Sequence, residues 1–147
     1  MRIEGERHFD APPDEVFRAL TDPAVMKNAF GAIESIETSG EEWKVLVRPP
    51  FPGGFKVKFS VRLEDLREAE HARLRAWGKS LGGRVSVDSS FDLEPERGGT
   101  HMRWDAEVDA AGMFSGLGNQ RLGPVAKQQT EKALDRLAGS VVTRGSG

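Results

Sequence analysis

Residues 6–30 read ERHFDAPPDEVFRALTDPAVMKNAF, and the architecture turns on them. An extended run ends at Asp10, two prolines follow at once, and a short helical pattern comes next. Proline suits the first helical positions, which need no backbone N–H partner. Asp10 stands near the expected cap. Asp14 and Glu15 favour the positive end of a helix from Pro12 to Leu20, whose apolar face is Val16, Phe17, Ala19 and Leu20. Thr21-Asp22-Pro23 repeats the device and predicts a second short helix through Phe30.

From Gly31 onward the texture changes to strands. AIESIET and WKVLVR flank Ser39-Gly40-Glu41-Glu42, a hairpin signal. FKVKFSVRLEDL puts Phe55, Val57, Phe59, Val61 and Leu63 on one face and Lys56, Lys58, Ser60, Arg62 and Glu64 on the other. The next three runs alternate likewise. Ala72, Leu74, Ala76 and Gly78 share a face, as do Val85, Val87, Ser89, Phe91 and Leu93, and then Met102, Trp104, Ala106 and Val108. The apolar positions of PVAKQQTEKALDRLAGSVV follow helical spacing. The prediction is an α+β fold: a seven-stranded antiparallel meander with one wet face, its apolar face covered by the long C-terminal helix. Two short helices after the first strand plug the junction.

At 147 residues, the chain suits one domain, placed over 1–142 with a polar tail at 143–147. A net charge of -2 argues against a nucleic-acid partner, and the absence of cysteine removes disulfides and thiolate chemistry. MRIEGERHFD has no secretory apolar stretch, and no apolar run approaches the roughly 18 residues of a membrane span, so a cytoplasmic location is expected.

A curved sheet gripping a helix leaves space where its inward residues are small, as at Ala72, Ala76, Gly78, Ser89 and Ala106. Phe55, Phe59, Phe91 and Trp104 are the expected walls of an apolar cavity. The alternative is a filled core in which the small residues admit the helix closely. RPPFPGGF, SLGG and AAGMFSGLGNQRL all fall at one end of a meander, with Phe51, Leu81, Met113, Phe114 and Leu117 set among Gly, Pro and Ser. They fit a mouth that handles an apolar ligand or touches a bilayer, or else a set of residues folding back onto the core. Val125, Gln129 and Thr130 lie on the helix. The last two break its apolar stripe and either meet a ligand carbonyl or bond their own helix and solvent. Lys56, Lys58, Arg62, Arg73 and Arg75 mark the outer face as a solvated surface or an anionic-lipid patch.

Catalysis finds little support in these residues. His8, His71 and His101 are scattered without metal-ligand spacing, so neither a metal nor another cofactor is expected. GMFSG is not a nucleophile elbow, and GLGNQR lacks the third glycine of a dinucleotide fingerprint. Asp105 and Glu107 alternate with Arg103 on the wet face, a salt-bridged pattern.

APPDEVFRALTDPAVM (11–26), AIESIE (32–37), GGTHMRWDAEVDAAG (98–112) and GMFSGLGNQRL (112–122) together carry a family likeness. They resemble the carbon monoxide dehydrogenase G-subunit-like (CoxG-like) family of the START/Bet v 1-like (SRPBCC) superfamily. The similarity runs to about Val142, departing at Gly31-Ala32, where Pro-Gly is usual. The resemblance implies a helix-grip fold and a non-enzymatic carrier for a quinone or other lipid. Such a protein would serve a molybdenum-hydroxylase-type dehydrogenase, with peripheral contact at the inner face of the membrane. Other implied roles are an assembly or recruitment factor docking on the dehydrogenase, or a small-molecule cyclase or hydrolase of the same fold.

Overall fold

The computed structural model describes residues 1–48, 56–80, 82–112 and 118–145. Strand β1 (Arg2–Phe9) leads into helices α1 (Pro13–Leu20) and α2 (Pro23–Ala29). Strands β2 (Ile33–Ser39), β3 (Glu42–Val47), β4 (Val57–Arg67), β5 (His71–Ser80), β6 (Gly83–Glu96) and β7 (Gly99–Gly112) follow, then helix α3 (Gly118–Gly145). The strands form one antiparallel sheet in the order β1-β7-β6-β5-β4-β3-β2, so β1 closes against the last strand of the predicted meander.

The helix starts differ in detail from expectation. Pro12 is itself the cap of α1, extended at φ -67 and ψ 155, and makes no side-chain cap bond. Asp10 does not cap: its carboxylate faces His8 Nε2 at 3.1 Å. In α2 the expected device is present, with Asp22 Oδ1 accepting from the N–H of Ala24 at 2.9 Å and of Val25 at 3.4 Å. That helix stops at Ala29, with Phe30 as its cap. The last helix begins at Gly118, so Pro124 lies inside it rather than at its start.

Alternation places the inner faces as expected: Val57, Val61, Ala72, Ala76, Val85, Leu93, Met102, Trp104, Ala106 and Val108 are all buried. The apolar interior nevertheless falls into three clusters. The first joins Phe9, Val16, Leu20, Leu93, Met102 and Trp104 to Leu134, Leu137 and Val141 of α3. The second gathers Trp43, Val45, Val61 and Ala76, and the third Val57, Val85 and Val108; neither has an α3 member among the described residues. The closest backbone approaches of α3 are to β1, α1 and α2, and its buried side chains pack on Leu93, Met102 and Trp104 of β6 and β7. Arg7 binds Asp135 across the β1–α3 seam, and Arg136 Nη1 donates to the Ala29 carbonyl at 2.9 Å, tying α3 to the end of α2.

Gly5 and Gly78 are among the glycines set by close approach. A Cβ on Gly5 would lie 2.8 Å from Trp104 Nε1, and one on Gly78 would lie 2.6 Å from Phe59 Cε1. Each leaves room for an aromatic ring on the neighbouring strand.

Candidate functional site

The side chains of the concave face are unevenly covered. Along α3 the inward stripe is fully buried at Ala133, Leu134, Leu137 and Val141 but only half-buried at Ala126, Gln129 and Thr130. The opposing strands show the same asymmetry. Phe59 and Leu63 of β4, Leu74 of β5 and Val87 of β6 all point inward and remain half-buried. Register places Leu63 opposite Leu74 and Leu74 opposite Ser89, so these residues form a continuous band across the middle of the sheet. Apolar surface on the central strands is thus not fully covered by any described side chain.

This band runs toward one end of the sheet. There Val47 pairs with Val57, Ser80 with Gly83, and Gly83 with Gly112, so the ends of β3, β5 and β7 and the starts of β4 and β6 lie side by side. The residues expected at a mouth, Phe51, Leu81, Met113, Phe114 and Leu117, together with the wall residue Phe55, lie outside the described residues.

The other expected walls do not meet at one place. Phe59 belongs to the second and third clusters, next to Gly78. Phe91 and Trp104 are cross-strand neighbours deeper in the sheet and pack on the first cluster. Phe91 meets Phe17 of α1 edge to face, with ring centroids 6.1 Å apart, so one side of this wall is closed by the small helix. Trp104 lies between Gly5 and Leu134, lining a crevice of about 280 Å³ between β1 and α3. That crevice is bordered by Glu6, Arg7, Lys127, Glu131 and Asp135, and a second one of about 590 Å³ is also lined by charged groups. Neither suits an apolar ligand; the half-buried band does.

On α3, Val125 and Gln129 are half-buried. Thr130 Oγ1 donates to the Ala126 carbonyl at 2.9 Å, so its proton is used within the helix and its oxygen can only accept from a ligand. Leu63, Leu74, Val87 and Met26 are lining residues that sequence reasoning does not single out. Period-2 alternation marks the three strand residues as inward, but it does not say where α3 stands.

Elsewhere many of the described ionisable groups are paired. His8 lies between Asp10 and Glu96, His101 between Glu6 and Glu96, and His71 Nδ1 is 2.8 Å from Asp92 Oδ1. On the wet face, Arg103 pairs with Glu6 rather than with its neighbours, Asp105 with Arg2, and Glu107 with the N-terminal amine. Lys56 and Arg48 share Glu34, whose carboxyl is held below its usual range by hydrogen bonds from Lys56 and then Arg48. Arg73 grips Asp88 through two nitrogens, one of them at 2.8 Å, and this lowers the Asp88 pKa against the smaller opposing effect of burial.

Residues 5–141 match the family described as the G subunit of carbon monoxide dehydrogenase (CoxG). No curated protein matches the chain. Among solved structures, a conserved protein from Geobacillus kaustophilus superposes with a TM-score of 0.89 at 19% identity, covering 97% of this chain and 96% of that one. A START superfamily protein from Mycobacterium smegmatis superposes at 0.76 with 12% identity, covering 97% of each chain. A Chromobacterium violaceum protein gives 0.73 at 20% identity, with 95% and 96% covered. At these identities the likeness is one of fold.

Proposed function

The chain belongs to the CoxG family of carbon monoxide dehydrogenase, and on that premise we propose that it is a carrier that holds an apolar ligand against its concave face. One observation carries this reading. Phe59, Leu63, Leu74 and Val87 point inward yet stay half-buried, in clusters with no α3 member among the described residues. Inward apolar surface without a full protein cover is what a greasy ligand completes, at roughly 25 cal/mol per Å² buried before ordering costs. The ligand class is an isoprenoid quinone or an acyl lipid, which fits an apolar band with few polar groups. Gln129 supplies an amide for a carbonyl or hydroxyl, and Thr130 an acceptor oxygen. The carrier holds its ligand without converting it and serves a dehydrogenase that exchanges electrons with quinones.

Trp43 and Trp104 are both inward and buried, so a bound quinone is expected to quench their fluorescence. Titration with a short-chain isoprenoid quinone should show saturable quenching at one ligand per chain. Leu74→Asp should abolish it, and Ser89→Leu should weaken it while keeping the fold. Linear, unsaturable quenching that is the same in all three proteins would show that the concave face holds no such ligand.

A further inference from the structure

The inward hydroxyls of the sheet and of α3 spend their protons within the chain. Ser89 Oγ donates to the Asp105 carbonyl at 2.9 Å, Thr130 Oγ1 to the Ala126 carbonyl at 2.9 Å, and Thr100 Oγ1 to the Ala11 carbonyl at 2.7 Å. The indole of Trp43 differs. Trp43 points inward from β3 in the row Trp43, Val61, Ala76 and Val87, and it is only 7% exposed. Its Nε1–H meets no acceptor among the described residues. Nor is that nitrogen sealed, since the one buried side-chain N or O atom without a hydrogen bond among the described residues is Glu15 Oε2. Trp104, the other inward tryptophan, has its Nε1 beside Gly5, at the charged crevice between β1 and α3.

The half-buried residues Phe59, Leu63, Leu74 and Val87 all pack on the cluster that contains Trp43. An apolar ligand laid on them would strip water from the indole. An indole N–H can only donate, and a buried donor without a partner is costly. A ligand that brings a carbonyl oxygen restores the bond, whereas a plain hydrocarbon strands the donor. Trp43 also lies away from the mouth end. Val47, four residues further along β3, pairs with Val57 there, about 13 Å off along the strand. A carbonyl held at Trp43 is therefore the inner end of a ligand whose tail runs back toward the mouth.

Resting on the carrier reading of this face, we infer that the Trp43 indole N–H anchors a carbonyl oxygen of the ligand's head group, which enters first with the apolar tail behind it. Gln129 does not take this place, because it stands on α3 and the cluster under the band has no α3 member among the described residues. The site then selects a carbonyl-headed lipid over a hydrocarbon of the same shape.

The test compares two ligands on the whole chain: a short-chain prenylated para-quinone, and the arene with the same ring and tail but no oxygens. The chain has three tryptophans, so its nitrogen–proton correlation spectrum carries three indole N–H signals. Trp77→Phe and Trp104→Phe assign the Trp43 signal by elimination, even if Trp43→Phe does not fold. With the quinone, the Trp43 signal is expected to move downfield, as a new hydrogen bond requires; with the arene it should show no such shift. In affinity, the wild type should prefer the quinone, and Trp43→Phe should reduce that preference about fivefold, whatever the smaller ring does to both ligands alike. A quinone that binds without moving the Trp43 signal, or moves it no further than the arene does, would overturn the anchor and leave the carrier reading standing. Binding of neither compound would overturn both.

Discussion

Replacing Val87 by phenylalanine asks directly whether the concave face has room. Val87 points inward from β6 between Ala76 and Val108, is half-buried, and touches both clusters that lack an α3 member. In a close-packed interior the larger ring would force side chains off their rotamers and cost about 1–3 kcal/mol. Against an uncovered apolar band it instead adds buried surface, worth up to about 1 kcal/mol over valine. The two cases differ in sign, which a urea titration resolves if the m value stays constant. The account predicts Val87→Phe to be neutral or slightly stabilising. The same ring should displace about 50 Å² of ligand contact, roughly 1.3 kcal/mol or tenfold in affinity. A loss of more than about 1 kcal/mol of stability, with quinone binding unaltered, would refute the reasoning.

Three further outcomes test the framework. Thr100, fully buried, donates through Oγ1 to the Ala11 carbonyl at 2.7 Å, so Thr100→Val should cost about 1–3 kcal/mol in chemical denaturation by stranding that oxygen. Asp22→Ala removes the cap of α2 and should cost about 1 kcal/mol, read as a lower thermal midpoint with no change in ligand affinity. Asp88 has a folded-state pKa depressed by Arg73, so its stabilising effect is present above the ordinary aspartate range and is lost as pH falls through the lowered value. Because both groups are substantially exposed, the effect is small. Asp88→Asn should lower the midpoint slightly at neutral pH and flatten the acid limb of the midpoint–pH curve.

The strand order and the inner faces were legible because period-2 alternation is local. Val57, Val61 and the set from Met102 to Val108 are buried as that pattern requires. Asp22 was legible for the same reason, since a cap and its proline sit next to each other in the chain. The start of α3 was not: Gly118, Gly123 and Pro124 are poor helix formers, so local propensity does not mark it. The placement of α3 was hidden too. It depends on contacts between residues remote in sequence: Trp104 with Leu134, Arg7 with Asp135, and Arg136 with the Ala29 carbonyl. That position decides which inward residues stay half-covered, so Leu74 and Val87 emerged as lining only from the fold.

The most direct measurement is native mass spectrometry of the chain as purified, followed by organic extraction. A bound quinone or acyl lipid near one per chain, reduced in Val87→Phe and absent in Leu74→Asp, is the predicted result. A protein of bare mass that takes up neither quinones nor lipids when they are added would contradict the carrier account.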